Sequence, residues 1–184
     1  MSLIGTILLN EIVNEKHIVH ASSILNLLHT AVLKALHRDT GEACSQDGME
    51  MSLCVIDHKK NTIEYAGSMN PVYVVKDNAI TIIKPDIQVI GRSVYGAKDN
   101  KFEFTTQLIP IHKNMTVYMF TDGYMDQFGG PENKKFNAAR FKNLLLDIQT
   151  MDMNTQKLEI ENTLKNWKGD SLQIDDILVM GMKF

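Results

Sequence analysis

Met115-Thr116-Val117-Tyr118-Met119-Phe120-Thr121-Asp122-Gly123-Tyr124 decides the reading of this chain. Met115 to Phe120 carries apolar side chains on both faces of an extended segment, as a strand in the middle of a sheet does. That run ends directly in an Asp-Gly step. A second stretch has the reverse shape: in Gln173-Ile174-Asp175-Asp176-Ile177-Leu178-Val179, paired carboxylates open a final apolar strand expected over Ile177 to Met182. Carboxylates at the ends of central strands are rigidly aimed, and hard oxygen ligands are what Mg²⁺ or Mn²⁺ takes. Two such ions side by side turn a bound water into hydroxide and neutralise phosphoryl oxygens. The plainer readings are that Asp122-Gly123 is an ordinary turn and that Asp175-Asp176 is a solvated strand entry. The two segments together favour the metal reading more than either does alone.

Outward from these points, the pattern predicts an α+β domain. Leu3, Ile4, Ile7, Leu8, Leu9, Ile12 and Val13 form a helical stripe within the first 13 residues, and a second helix is expected from about Ser22 to Leu36, capped by Ser22 or Ser23. Residues 38–48 read as a polar loop. From Met49 the period changes to alternation through Met51, Leu53 and Val55, with a return strand from Ile63 to Ser68. Val72–Lys76 and Ile80–Lys84 flank Asp77-Asn78, a hairpin signal. Phe102, Phe104 and Thr106 alternate as another strand. Two helices follow, one capped by Asn137 and one running from about Thr155 to Trp167, ended by Gly169.

Composition narrows the function classes. The chain has 184 residues, 44% of them hydrophobic and 22% charged, the balance of a globular protein with a sizeable core. Nineteen Lys and Arg against 22 Asp and Glu give a net charge of -3, which argues against general nucleic-acid or membrane-surface binding. Cys44 and Cys54 are the only cysteines, too few for a disulfide scaffold or a cysteine-only zinc cluster. No apolar run reaches ~18 residues, so no membrane span is expected, and the chain is expected to be cytoplasmic. His17 and His20, like His29 and His37, lack a nearby third ligand and read as solvent-facing or interface residues. Gly91, Gly96, Gly129 and Gly130 form no phosphate-cradling loop, and Ser22, Ser23 and Ser68 have no nucleophile-elbow context. The 11 methionines read as core gap-fillers.

With these residues in hand, the sequence resembles the metal-dependent protein phosphatases of type 2C. It is most similar to the bacterial branch typified by stage II sporulation protein E and the stress-response regulators of the general sigma factor. The matching pieces are Asp47-Gly48-Met49 leading into Ser52 to Asp57, Ile63 to Pro71, Thr116 to Tyr124, Asp126 to Pro131 with Lys134-Lys135-Phe136, and Asp175 to Val179. The resemblance covers essentially the whole chain. It implies a sandwich of two antiparallel sheets flanked by helices, and two Mn²⁺ or Mg²⁺ ions held by aspartates. It also implies hydrolysis of phosphoserine or phosphothreonine by metal-activated water, with no phospho-enzyme. Asp122 matches the family's Asp-Gly metal ligand, Asp175 the late ligand, and Asp176 the position that is Asp or Asn in relatives. Asp126 matches a contact to a weaker third ion.

The resemblance also implies a strand pair with one metal-binding Asp, and an Asp-x-x-Gly-His-Gly segment with another, ahead of the first helix. Neither is in this sequence, and Val89-Ile90-Gly91 replaces the family's Pro-Ile-Gly turn. The expectation is therefore an N-terminally truncated domain lacking the first strands, inactive by itself, with weak metal affinity and sheet edges that invite homodimerisation. In relatives such domains follow sensory modules and act on phosphorylated regulators of the anti-anti-sigma type. Those are the partners implied here, an upstream sensory domain and a phosphorylated regulatory protein. The alternative reading is a pseudophosphatase, a binding module that kept the fold and not the chemistry; an unrelated scaffold would need several coincident motifs.

Overall fold

A computed structural model of the chain describes residues 2–36, 47–92 and 102–184. His37, Cys44, Gly96 and most of the expected 38–48 loop lie outside the described residues. The chain divides into two compact units, Met1–Pro71 with Lys84–Ile111 and Val72–Ile83 with His112–Phe184. Among the described residues no helix is long and apolar enough to cross a membrane. The α+β class is as expected, helices with antiparallel sheets.

The first unit opens with α1 (Ser2–Asn10), a π-helical turn (Glu11–Glu15) and α2 (Ala21–Leu36). Ala21, Ile24, Leu25, Leu28, His29 and Val32 recur at helical spacing and form the buried face of α2. They pack with Ile12, Ala66, Ile90 and Phe104. The sheet is β1 (Met51–Asp57), β2 (Thr62–Ser68) and β5 (Gln107–Pro110), antiparallel in the order β1-β2-β5.

Three expectations in this unit are corrected. Ser22 and Ser23 do not cap α2. Side chains distant in sequence cap it instead: Glu64 Oε2, from β2, accepts from Ala21 N at 3.2 Å, and Thr106 Oγ1 accepts from Ser22 N at 3.2 Å. Phe102 to Thr106 is not a strand: the amides of Phe104 and Thr105 go to side chains rather than to a neighbouring ladder. Phe104 N donates to Asn26 Oδ1 and Thr105 N to Asp86 Oδ2, both at 2.8 Å. His29 is neither solvent-facing nor at an interface but 4% exposed, its Nδ1 accepting from Gly91 N at 3.2 Å. Burial holds its pKa below the usual histidine value.

The second unit is built on the sheet β4-β3-β6-β9, all antiparallel, from β3 (Val72–Lys76), β4 (Ala79–Ile83), β6 (Thr116–Phe120) and β9 (Val179–Lys183). The β3–β4 hairpin turns on Asp77 and Asn78, both at positive φ (49° and 57°), the backbone a tight two-residue hairpin requires. β6 is paired on both edges, and Thr116, Val117, Tyr118 and Phe120 are buried, which explains its lack of alternation. After β6 come the single turn α3 (Gly123–Asp126) and a two-residue ladder of β7 (Phe128–Gly129) with β8 (Lys134–Lys135). Then follow α4 (Asn137–Ile148) and α5 (Met153–Lys168). Asn137, at φ 69°, caps α4 as expected, with Oδ1 accepting from Ala139 N (2.9 Å) and Arg140 N (3.1 Å). α5 starts earlier than expected because Asp152 accepts from the amides of Asn154 and Thr155.

The core of this unit is aromatic. Tyr73, Phe120, Tyr124, Phe136 and Phe141 pack with Leu145, Ile148 and Ile160. Phe141 lies at the centre, its ring 5.0 Å from Phe120 and 4.8 Å from Tyr124. Its truncation would empty a volume that β6, α3 and α4 all line, and a rigid core collapses only partly around such a void. Phe141→Ala is expected to destabilise this unit by about 3–5 kcal/mol. Urea unfolding followed by the fluorescence of Trp167, the chain's only tryptophan and packed against this cluster, reads that change. Leu158→Ala, at a position 55% exposed, is the control and should shift stability by no more than about 0.5 kcal/mol.

Candidate functional site

Antiparallel pairing of β6 with β9 aligns Phe120 with Val179, so the chain leaving β6 meets the chain entering β9. Residues 55 apart in sequence are thereby joined. Thr121 N donates to Leu178 O at 3.0 Å. Its hydroxyl donates to Asp176 O at 2.8 Å and accepts from Leu178 N at 2.9 Å. One side chain thus satisfies a backbone acceptor and a backbone donor just where the ladder stops. The final strand begins at Val179 rather than Ile177 for the same reason: the amide of Leu178 is spent on a side chain.

Asp122 follows at the start of α3, its carboxylate making no capping hydrogen bond. Gly123 is forced by crowding. A Cβ there would lie 2.5 Å from Asp176 O and 3.2 Å from Asp175 Cβ, closer than packed atoms tolerate. The same numbers show that the structure brings Asp175 and Asp176 against the Asp122-Gly123 step. Asp175 Oδ1 accepts from Asp176 N at 2.7 Å, and Gln173 Nε2 donates to Asp175 O at 2.8 Å, folding the acidic pair into a defined turn. Asp122, Asp175 and Asp176 are all exposed. Among the described residues none of the three enters an ion pair. Asp126 differs: its Oδ2 is 2.7 Å from Lys135 Nζ.

Such a donor set, oxygen-only and without counter-charge on two rigid segments, suits a hard divalent cation. It is a partial set. Among the described residues no group of three or more His, Cys, Asp or Glu side chains is gathered closely enough to hold a metal ion. A cavity of about 620 Å³ in this unit, lined by Tyr118, Gln156, Ile160, Ile177 and Val179 among others, includes none of these carboxylates. Tyr118 donates its hydroxyl to Gln156 Oε1 there, and burial raises its pKa to about 12, which leaves it a hydrogen-bonding wall rather than a proton-transfer group at neutral pH.

The sequence marks the acidic residues but not what holds their segments together. Thr121 was legible only as the residue before Asp-Gly. Nothing in the periodicity marked its hydroxyl as a bridge, since a Thr at a strand end is equally a β-former. Lys135 appeared only as part of a family motif, without a role.

The sequence profile of the stage II sporulation protein E (SpoIIE) family matches residues 1–184. No curated protein sequence matches. Among solved structures, the SiaA-PP2C domain of Pseudomonas aeruginosa is similar with a TM-score of 0.84 at 20% identity, over 99% of this chain and 68% of that one. The phosphatase domain of the cell fate determinant SpoIIE from Bacillus subtilis, presoaked with Mn, gives 0.58 at 14% identity, over 97% and 72%. The RsbU and RsbW domains of a Mycobacterium tuberculosis protein give 0.69 at 16%, over 100% and 46%. At these identities the likeness is one of fold, that of type 2C phosphatase domains.

Removing the Thr121 hydroxyl tests the bridge. Thr121→Val keeps the shape but hands Asp176 O and Leu178 N, both exposed, over to water, a loss of about 0.5–1.5 kcal/mol per hydrogen bond. The expected result is faster hydrogen exchange at the Leu178 amide with the β3–β4 hairpin amides unchanged, and recovery in Thr121→Ser.

Proposed function

The chain belongs to the stage II sporulation protein E family, and from that premise we propose that it is the output domain of a bacterial signalling phosphatase. Its reaction is hydrolysis of phosphoserine or phosphothreonine on a regulatory protein. The observation that carries this reading is the locked approach of Asp122-Gly123 to Asp175-Asp176, with exposed carboxylates free of counter-charge. Asp122 and Asp175, with Asp176 beside them, are the residues that would hold Mn²⁺ or Mg²⁺ as part of a larger oxygen-donor set. When bound, such an ion lowers the pKa of its water and neutralises phosphoryl charge.

The chain's own residues contribute position. Thr121 fixes the backbone of the two acidic segments relative to each other, so that only the carboxylate side chains remain to be ordered when the cation arrives. Gly123 lets the backbone of Asp176 come close enough for the separation of the segments to be short. Exposure of all three acids suits a phosphate carried on a protein surface better than a small metabolite, which would be enclosed. Occurrence of RsbU and RsbW domains in one similar structure supports a small phosphorylated regulator of the anti-anti-sigma class as substrate.

The full gene product is expected to hydrolyse a phosphoserine peptide only with Mn²⁺ or Mg²⁺ present. Asp122→Asn is expected to lower kcat/KM by ~100-fold or more and weaken Mn²⁺ binding in calorimetry, in keeping with several kcal/mol of charge stabilisation from the cation. Activity that survives chelation overturns the reading. Retained partner binding without any turnover marks the domain as a pseudophosphatase.

A further inference from the structure

Resting on that reading for the chemistry at Asp122, we propose that Lys135 is the cation that receives the substrate's phosphoryl group, exchanging its ion pair with Asp126 for the phosphate. With a divalent cation held by the carboxylates, the phosphoryl oxygens turned away from it still face outward, and a positive side chain there adds a charge-assisted contact.

The geometry points to Lys135. α3 is a single turn in which Asp126 N donates to Asp122 O at 2.9 Å, so Asp122 and Asp126 are one turn apart and their side chains are neighbours. Lys135 Nζ, 2.7 Å from Asp126 Oδ2, is therefore tied to the side chain one helical turn after Asp122. Its backbone is fixed: Lys135 pairs with Phe128, Phe136 N donates to Gln127 O at 2.9 Å, and Gly130 N donates to Trp167 O at 2.8 Å. Its side chain is not, being 49% exposed. The neighbouring cations are engaged elsewhere. Lys134 pairs with Glu132. Arg140 donates to the carbonyls of Lys135 and Phe136 and lies 4.6 Å over the Trp167 ring.

An exposed Lys–Asp pair contributes little to stability, so it exchanges readily. A phosphoryl group offers more charge and three acceptor oxygens, and the ammonium on its flexible stem can follow it without backbone motion. In the absence of substrate, Asp126 keeps Lys135 turned toward α3 rather than into solvent.

The test uses the full gene product with Mn²⁺, a phosphoserine peptide for turnover, and its non-hydrolysable phosphonate analogue for binding by fluorescence anisotropy. Lys135→Ala is expected to raise KM and weaken analogue binding by about ten-fold each, the size of one charge-assisted contact. Lys135→Arg is expected to recover most of both, and the unphosphorylated peptide to bind equally to all variants. Unchanged KM and analogue affinity in Lys135→Ala overturns the proposal, as does an equal loss for the unphosphorylated peptide. Turnover with no Lys135 effect sinks this inference alone. Lys135-dependent analogue binding without turnover sinks the hydrolase reading and leaves the phosphate site standing. Absence of analogue binding by the unsubstituted protein sinks the phosphate site.

Discussion

The exchange of hydrogen bonds between Thr121 and the 176–178 segment is the constraint on which the acidic end of this domain depends. Backbone ladders run out where strands diverge, and the first unpaired groups beyond them usually go to water. Here a hydroxyl extends the ladder by one step and does so asymmetrically, donating to one residue and accepting from another. Carboxylates brought close together repel, so their proximity has to be maintained by something other than themselves. Uncharged hydrogen bonds one residue behind the acids fill that role without neutralising them, which a salt bridge would do.

Much of this was legible in the sequence, for identifiable reasons. β6 reads as a central strand because both of its faces are buried, and burial on both faces is written directly in composition. The β3–β4 hairpin reads from Asp77-Asn78 because those side chains tolerate the left-handed backbone the turn demands. Asp122 and Asp175 stand out because a charge that ends an apolar run is costly unless it is solvated or used.

What was not legible depends on partners distant in sequence. The amide of Phe104 goes to Asn26 and that of Ser22 to Thr106, so alternation suggested a strand where none forms and a nearby serine suggested a cap that is not used. α3 is too short to leave a periodic trace, and the β7–β8 ladder has two residues on each side. His29 is the same lesson in reverse: helical spacing put it on the face of Leu25 and Val32, but only the amide of Gly91 makes that burial tolerable.

A helix of four residues has no stability of its own. α3 exists because Tyr124 is sunk among Phe136 and Phe141, with its hydroxyl donating to Ile160 O in α5 at 2.8 Å. The pitch at which Asp122 and Asp126 face outward is therefore set from beneath, by a phenol moored to a helix that bears neither acid. Substitutions along the inner side of α5 would tilt that mooring and rotate the acids together, so the evolutionary tuning of this surface can be carried out from its foundation, by residues no substrate ever meets.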